Sequence, residues 1–174
     1  SQKTIPLVSI ITINFNNTEI TCDLLASLRN ISYPNTEIIV VDNGSTRGKA
    51  SDIKKQFPEI RLIYNPKNLG FAGGNNTGTL FAKGKYLIYL NNDIAVSPDF
   101  LEPLVDLFEN NPNAGMCSPK ILFHRTKKVE YEGKTYINSL TTRNGKVKKY
   151  FEDNSGHNKP KETPLPHGAA LMVS

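Results

Sequence analysis

Glu37-Ile38-Ile39-Val40-Val41 runs without a break into Asp42-Asn43-Gly44-Ser45. After the opening glutamate the first segment is wholly apolar and β-branched. It reads as a strand buried on both faces, as strands of parallel sheets are. The four residues that follow are turn formers. In an open parallel sheet, ligands bind outside the carboxyl ends of the strands. Asp42 therefore stands where a binding crevice is expected.

On the amino-terminal side, Val8-Ser9-Ile10-Ile11-Thr12-Ile13 is a second buried strand. Asn17-Thr18-Glu19 opens a helix whose apolar face is Ile20, Leu24, Leu25, Leu28 and Ile31, and Tyr33-Pro34-Asn35 ends it. On the carboxyl side come a short helix with Ile53 and Phe57 one turn apart and a strand at Arg61-Leu62-Ile63-Tyr64. A loop at Asn65 to Gly70 leads to a helix over about Gly73 to Ala82, then a strand at Tyr86 to Leu90 ending in Asn91-Asn92-Asp93. Ser97-Pro98-Asp99 starts a helix with inner face Leu101, Leu104, Val105 and Phe108, and Ala114 to Cys117 is a short fifth strand. Strands alternating with helices predict βαβ units and an α/β fold with a mainly parallel sheet. An assumed strand order of 3-2-1-4 would bring Asn14-Phe15-Asn16, Asp42 to Ser45, Asn65 to Asn68 and Asn91 to Asp93 onto one edge.

After Pro119 the rhythm changes. Residues 120–163 are polar and basic, with antiparallel hairpins expected around Asn144-Gly145 and a mobile stretch near Asn154 to Lys161. Gly168 to Val173 reads as a last buried strand, with the chain stopping in it or just after it.

With 174 residues, 38% of them hydrophobic, the chain suits one compact domain and not a disordered tail. The net charge of +5 lies largely between Lys120 and Lys161, read as a solvated face. No apolar run approaches the ~18 residues of a membrane span and no leader pattern opens the chain, so a cytoplasmic protein is expected, with any membrane association peripheral or contributed by sequence outside this chain. Cys22 and Cys117 read as buried free thiols, and no Cys/His spacing suggests zinc.

Each polar motif has two readings on its own. Asp42 can accept a hydrogen bond from a base N–H or ribose hydroxyl, or it can shape a turn. Asp93 can supply a hard oxygen ligand to Mg²⁺ or Mn²⁺ beside a diphosphate, or it can precede a helix. Gly70 to Gly78 can cradle phosphate at a helix start, or it can let the helix pack closely on the sheet. The stretch is neither a GxGxxG after the first strand nor a GK[ST] loop.

Taken in order, five motifs resemble the family 2 glycosyltransferases of the GT-A fold. Val8 to Ile11 with Phe15-Asn16 resembles their opening strand, and Ile39 to Ser45 resembles their "VVDDGS" or "VVDNGS" segment. Asn68 to Ala72 with Asn75-Asn76-Thr77-Gly78 resembles "NxGfaxaxNxG", and Leu90-Asn91-Asn92-Asp93 resembles the metal-binding "DxD". His167 to Met172 is similar to a late "GaaxLxxR" strand. The resemblance implies a Rossmann-like sheet with flanking helices and a small antiparallel C-terminal part. It implies a nucleotide-sugar site built from Asn14, Phe15, Asn16, Asp42, Asn43, Gly44, Ser45, Asn68, Gly70, Asn76, Asn92, Asp93, His167 and Gly168. Asp93 would hold Mg²⁺ or Mn²⁺, and the sugar would pass with inversion from a UDP- or dTDP-linked donor to a glycan or lipid-linked acceptor, as in cell-wall or polysaccharide biosynthesis. The "NND" variant is similar to a rhamnosyltransferase-like branch.

Two departures qualify what is carried over. Asn91 is an amide where many relatives have a carboxylate, which should weaken metal binding. The family's general base lies in a Glu-Asp motif downstream of the last strand, and Glu152-Asp153, expected in a solvated polar loop, precedes that strand. The chain is therefore expected to be truncated, with 1–119 a nucleotide-sugar-binding subdomain and 120–174 the start of an acceptor-side subdomain lacking the base. The alternative is a non-catalytic nucleotide-sugar-binding module. A nucleotidyltransferase would need a Gly-rich basic loop after the first strand, and a hydride-transferring enzyme would need GxGxxG. A nucleic-acid surface built on Tyr131, Tyr136, Tyr150 and Phe151 is disfavoured, because hairpin strands account for those residues equally well.

Overall fold

The computed structural model describes residues 4–122, 128–131, 151–152, 160–163 and 166–174. In chain order the elements are β1 (Val8–Asn14), α1 (Thr18–Leu28), β2 (Thr36–Asn43), α2 (Ala50–Gln56), β3 (Arg61–Asn65), α3 (Gly70–Thr79), β4 (Tyr86–Leu90) and α4 (Glu102–Asn110). Then follow β5 (Met116–Cys117), β6 (Ile121–Leu122), β7 (Lys128–Tyr131), β8 (Phe151–Glu152) and β9 (Ala170–Val173). A six-stranded sheet has the order β3-β2-β1-β4-β9-β5, and β6-β7-β8 form a small antiparallel sheet. The pairs β1–β2, β1–β4 and β2–β3 are parallel, whereas β9 is antiparallel to both β4 and β5. The expected 3-2-1-4 order and the small antiparallel part are both present.

The strand residues divide between two helical layers. One face of the sheet, with Val8, Ile10, Val40, Ile88 and Met172, packs on Leu24, Leu25 and Leu28 of α1, Ile53 of α2 and Leu104, Val105 and Phe108 of α4. The other face, with Ile11, Ile39 and Val41, is covered around α3. The glycines of α3 explain that closeness. A Cβ on Gly78 would come 2.5 Å from Ile11 Cγ2, and one on Gly74 would come 2.8 Å from Ile13 Cδ1. These two glycines serve helix–sheet packing, the structural one of the two readings open from sequence.

Several boundaries differ from expectation. Asp42 and Asn43 belong to β2 and not to the turn, because β1 and β3 extend alongside and pair with them: Asn14 with Asp42, and Asn43 with Asn65. α3 begins three residues before the expected Gly73, since Asn68 Oδ1 accepts the Gly70 N–H at 2.8 Å and Gly70 takes φ +74°. α4 begins at Glu102 and not near Ser97. Pro103 is the reason, because a proline is tolerated only in the first turn of a helix. β9 starts at Ala170, with Gly168 and Ala169 in a turn before it. Glu152, expected in a polar loop, stands in β8 opposite Lys128. Asn144-Gly145 lies outside the described residues, as do Asp153 and the stretch from Asn154 to residue 159.

Both cysteines are free. Burial pushes the Cys117 thiol up to about 11, and burial followed by Asp23 and Glu19 raises that of Cys22. Neither is poised as a nucleophile. Among the described residues, no helix is long and apolar enough to cross a membrane.

Among the described residues two buried hydroxyls, those of Thr12 and Thr18, lack a hydrogen-bond partner. Thr12 is fully buried, and its Oγ1 finds no hydrogen-bond partner. The isosteric change Thr12→Val should therefore stabilise the fold by roughly 1 kcal/mol, the desolvation cost of an orphaned hydroxyl. Chemical denaturation measures this, and a lower midpoint in the variant would show that the hydroxyl has a partner.

Candidate functional site

The carboxyl ends of β1 to β4 form one edge, and two clefts open there. The first holds about 350 Å³ and is lined by Ile13, Phe15, Asn17, Asn43, Asn68, Gly70, Phe71 and the run Leu90 to Asp93. The second lies beside it, against Asp42, Gly44, Ser45, Lys49, Tyr64 and Asn65. The division follows from strand geometry. Successive side chains alternate between faces, so Asp42 turns toward α1 while Asn43 turns toward α3.

Asn43 organises the first cleft. Only 2% of it is exposed. Its Oδ1 accepts from Asn65 Nδ2 at 2.9 Å and from the Leu69 N–H at 3.1 Å. Its Nδ2 donates to Asn68 Oδ1 at 3.0 Å and to the Gly70 carbonyl at 3.1 Å. One amide thus holds both ends of the loop between β3 and α3. All four of its bonds are internal, so Asn43 shapes the cleft by fixing that loop. Gly44, at φ +73°, lets the same loop lie directly on the turn after β2.

Asp42 is the end of a second network. It is 6% exposed, and its Oδ1 accepts from Asn14 Nδ2 at 2.8 Å and from Ser45 Oγ at 2.6 Å. Thr21 Oγ1 donates to Asn14 Oδ1 at 2.9 Å, and Asn92 Nδ2 donates to Thr21 Oγ1 at 3.0 Å. The Asn16 N–H donates to Ser45 Oγ at 2.9 Å, and Asn16 Oδ1 accepts from the N–H groups of Thr46 and Arg47, each at 2.8 Å. Asn16 holds φ +56°, a left-handed conformation that Asn tolerates better than most residues.

Asp93 is exposed at the mouth of the first cleft, and among the described residues that line it Asp93 is the one charged side chain. His167 and Gly168 lie just before β9, beside the end of β4. The Asn91 N–H donates to the Ala169 carbonyl at 2.9 Å, and the His167 N–H donates to Ser118 Oγ at 2.9 Å. The structure therefore brings Phe15, Asn43, Asn68, Gly70, Asn92 and Asp93 to one cleft. It sets Asp42, Gly44 and Ser45 on the neighbouring one. Asn14 and Asn16 support the wall between them, and Asn76 sits on the exposed side of α3, lining neither.

Sequence reasoning missed Thr21, and it placed Asn65 and Phe71 in motifs along the edge without giving either a role of its own. Thr21 was legible as the one polar residue of the inner α1 face otherwise made by Leu24, Leu25 and Leu28. Phe71 is 59% exposed beside Gly70, an aromatic side chain left on the cleft rim.

This edge matches a known pattern. A model described as "Glycosyl transferase family 2" matches residues 9–171. The chain belongs to this family. Among curated relatives, an uncharacterized glycosyltransferase of Haemophilus influenzae is 35% identical over 109 residues, covering 61% of this chain and 34% of the relative. The putative teichuronic acid biosynthesis glycosyltransferase TuaG of Bacillus subtilis is 35% identical over 101 residues, covering 56% of this chain and 40% of TuaG. Among solved structures, the mannosyltransferase PcManGT of Pyrobaculum calidifontis, in complex with GDP-Man and Mn²⁺, superposes with a TM-score of 0.62. It is 23% identical, and the match covers 71% of this chain and 38% of that protein. The family 2 chain thus has the GT-A fold expected from its motifs, and it spans less than half the length of these relatives.

Proposed function

We propose that this family 2 chain forms the donor side of a glycosyltransferase that takes a sugar from a UDP- or dTDP-linked donor and passes it, with inversion, to a glycan or lipid-linked acceptor in polysaccharide assembly. The observation that carries the reading is the first cleft at the β1–β4 edge, where Phe15, the Asn68–Gly70 loop and Asp93 meet. The donor's nucleotide would enter between Phe15 and that loop, with Asp42 behind it at the base or ribose and the diphosphate toward Asp93. His167 and Gly168 would border the sugar end. On this reading 1–119 is the nucleotide-sugar-binding part and 120–174 begins the acceptor side, although β9 of the second segment is a strand of the first segment's sheet. This part of the protein would work at the cytoplasmic side, peripheral to a membrane where it associates with one.

The cleft fits a divalent cation only in partnership with the donor. Among the described residues no group of three or more His, Cys, Asp or Glu could hold one. Asp93 supplies one carboxylate, with the amide oxygen of Asn91 within the same turn. Mg²⁺ is ordinarily held by one or two carboxylates together with substrate phosphates. Among the described residues no lysine or arginine lines the cleft, so the diphosphate's charge has no counterpart among those side chains. A bound cation would neutralise the leaving diphosphate as a Lewis acid. The Mn²⁺ in the PcManGT complex supports this reading. The alternative, a donor-binding module without transfer, draws on Asn91 standing in place of a carboxylate.

Nucleoside diphosphate binding to the intact protein, measured by calorimetry with Mn²⁺ and with chelator, tests the metal. Wild type should bind UDP or dTDP roughly 5–150-fold more tightly with Mn²⁺, the usual range of a coupling between two ligands. Asp93→Asn should lose most of that factor. Binding indifferent to chelator in wild type, or unchanged metal dependence in Asp93→Asn, would reject Asp93 as the metal ligand. Donor turnover with a glycan acceptor then separates the transferase from the binding module.

A further inference from the structure

We propose that Thr21 is a positioning residue that locks the turn carrying Asp93 to the strand ends carrying Asp42. This rests on the donor-site reading above and assigns a role within that site to a residue outside every motif.

The direction of the hydrogen bonds carries the inference. A carboxylate can only accept, so the contact to Asp42 Oδ1 at 2.8 Å must come from the amino group of Asn14. The orientation of the Asn14 amide is thereby set, and its Oδ1 must accept. The hydroxyl 2.9 Å away on Thr21 must then donate its single proton there, in preference to the longer 3.2 Å contact with the Asn17 carbonyl. With its proton committed, Thr21 Oγ1 is an acceptor for Asn92 Nδ2 at 3.0 Å. The chain Asn92 to Thr21 to Asn14 to Asp42 therefore has one polarity throughout and ends on a negative charge. Bonds in such a chain strengthen one another, the more so where water is excluded, and Asn14 and Thr21 are fully buried.

The consequence is mechanical. Asn92 is the neighbour of Asp93, and its side chain bonds back into the sheet through Thr21. A backbone bond from Asn91 to Ala169 holds the turn from the other side. The distance between the carboxylate at the diphosphate end and the carboxylate at the nucleoside end is thus fixed by the hydroxyl of a helix residue that touches neither ligand. A protein with that hydroxyl removed should still bind nucleotide and metal separately. It should bind them less well together.

Thr21→Val and Thr21→Ser in the intact protein test this. The reading is the ratio of UDP dissociation constants in chelator and in Mn²⁺, with dTDP as the second probe. Thr21→Val should lose at least about fivefold of the wild-type ratio, the low end of the loss expected for two hydrogen bonds, and should change affinity in chelator much less. Thr21→Ser, which keeps the hydroxyl, should restore the ratio. A general loss of folding would instead weaken binding equally with and without Mn²⁺. A wild-type ratio retained in Thr21→Val, or equal weakening in both conditions, overturns the role of Thr21 and leaves the proposed function standing. A wild-type protein whose nucleotide binding ignores Mn²⁺ overturns the metal reading and this one together.

Discussion

Gly44→Ala is expected to destabilise the protein by about 2–5 kcal/mol, from ~1–2 kcal/mol for a left-handed alanine and ~1–3 kcal/mol for overpacking. The new Cβ would lie 2.4 Å from the Lys67 carbonyl carbon and 2.6 Å from its Cα. Both are backbone atoms of the loop that lines the first cleft, so the conflict cannot be relieved by turning a side chain. Gly48 provides an internal comparison. It has nearly the same conformation, φ +75° against +73°, but its Cβ would meet only the Thr18 hydroxyl at 2.9 Å. Gly48→Ala should therefore cost about the ~1–2 kcal/mol of the left-handed backbone alone. Denaturant midpoints with unchanged m-values separate the two. Equal losses at both positions would show that the loop does not rest on Gly44.

Asn43→Ala is expected to cost a similar ~2–5 kcal/mol, because it leaves one buried and one part-buried donor without an acceptor, at up to ~1–3 kcal/mol each. The Asn65 amide is buried, and both it and the Leu69 N–H would lose their acceptor. The cost falls on the segment from Asn65 to Gly70, so nucleotide affinity should fall along with the melting midpoint. Asn43→Asp should lie between wild type and alanine. A carboxylate still accepts from Asn65 and Leu69, but it cannot donate to the Gly70 carbonyl or to Asn68 Oδ1. Thermal melts and nucleotide titrations of both variants are the check. An alanine variant as stable as wild type would mean that the loop holds its shape without this amide.

The parallel core was legible because β-branched runs ending in polar motifs leave few alternatives: Ile10 to Ile13 and Ile38 to Val41 cannot be solvent-facing strands. The strand order was not legible, since nothing local to β1 says that β2 and β4 flank it. Position along the edge was legible, and Asn68 and Asp93 line one cleft there. Which way each side chain turns was not legible. Asp42 and Asn43 are adjacent in sequence, yet strand alternation sends one into a buried network under α1 and the other beneath the β3–α3 loop. The early start of α3 depends on Asn68 Oδ1 accepting the Gly70 N–H, and the late start of α4 on Pro103. Both signals are in the sequence but act only once the neighbouring chain direction is set. Thr21 is the polar residue on the buried face of α1, and its partners come from β1 and from the turn after β4.

The place of β9 between β4 and β5 has a consequence for how the chain reaches this structure. β1 to β4 and their helices lie close in sequence and can assemble early. Leu90 waits for Ala170, roughly 80 residues on, and the entropy of closing such a loop rises only slowly with its length. The cost is instead one of time. At the ~5–20 residues per second of synthesis, the β4 edge stands unpaired for several seconds, with Tyr86, Ile88 and Leu90 beside it. An open edge of that kind templates pairing with other chains. Nascent chains that stall between the two strands should therefore be the aggregation-prone species of this protein, and changes that weaken β9 should lower soluble yield before they alter the finished cleft.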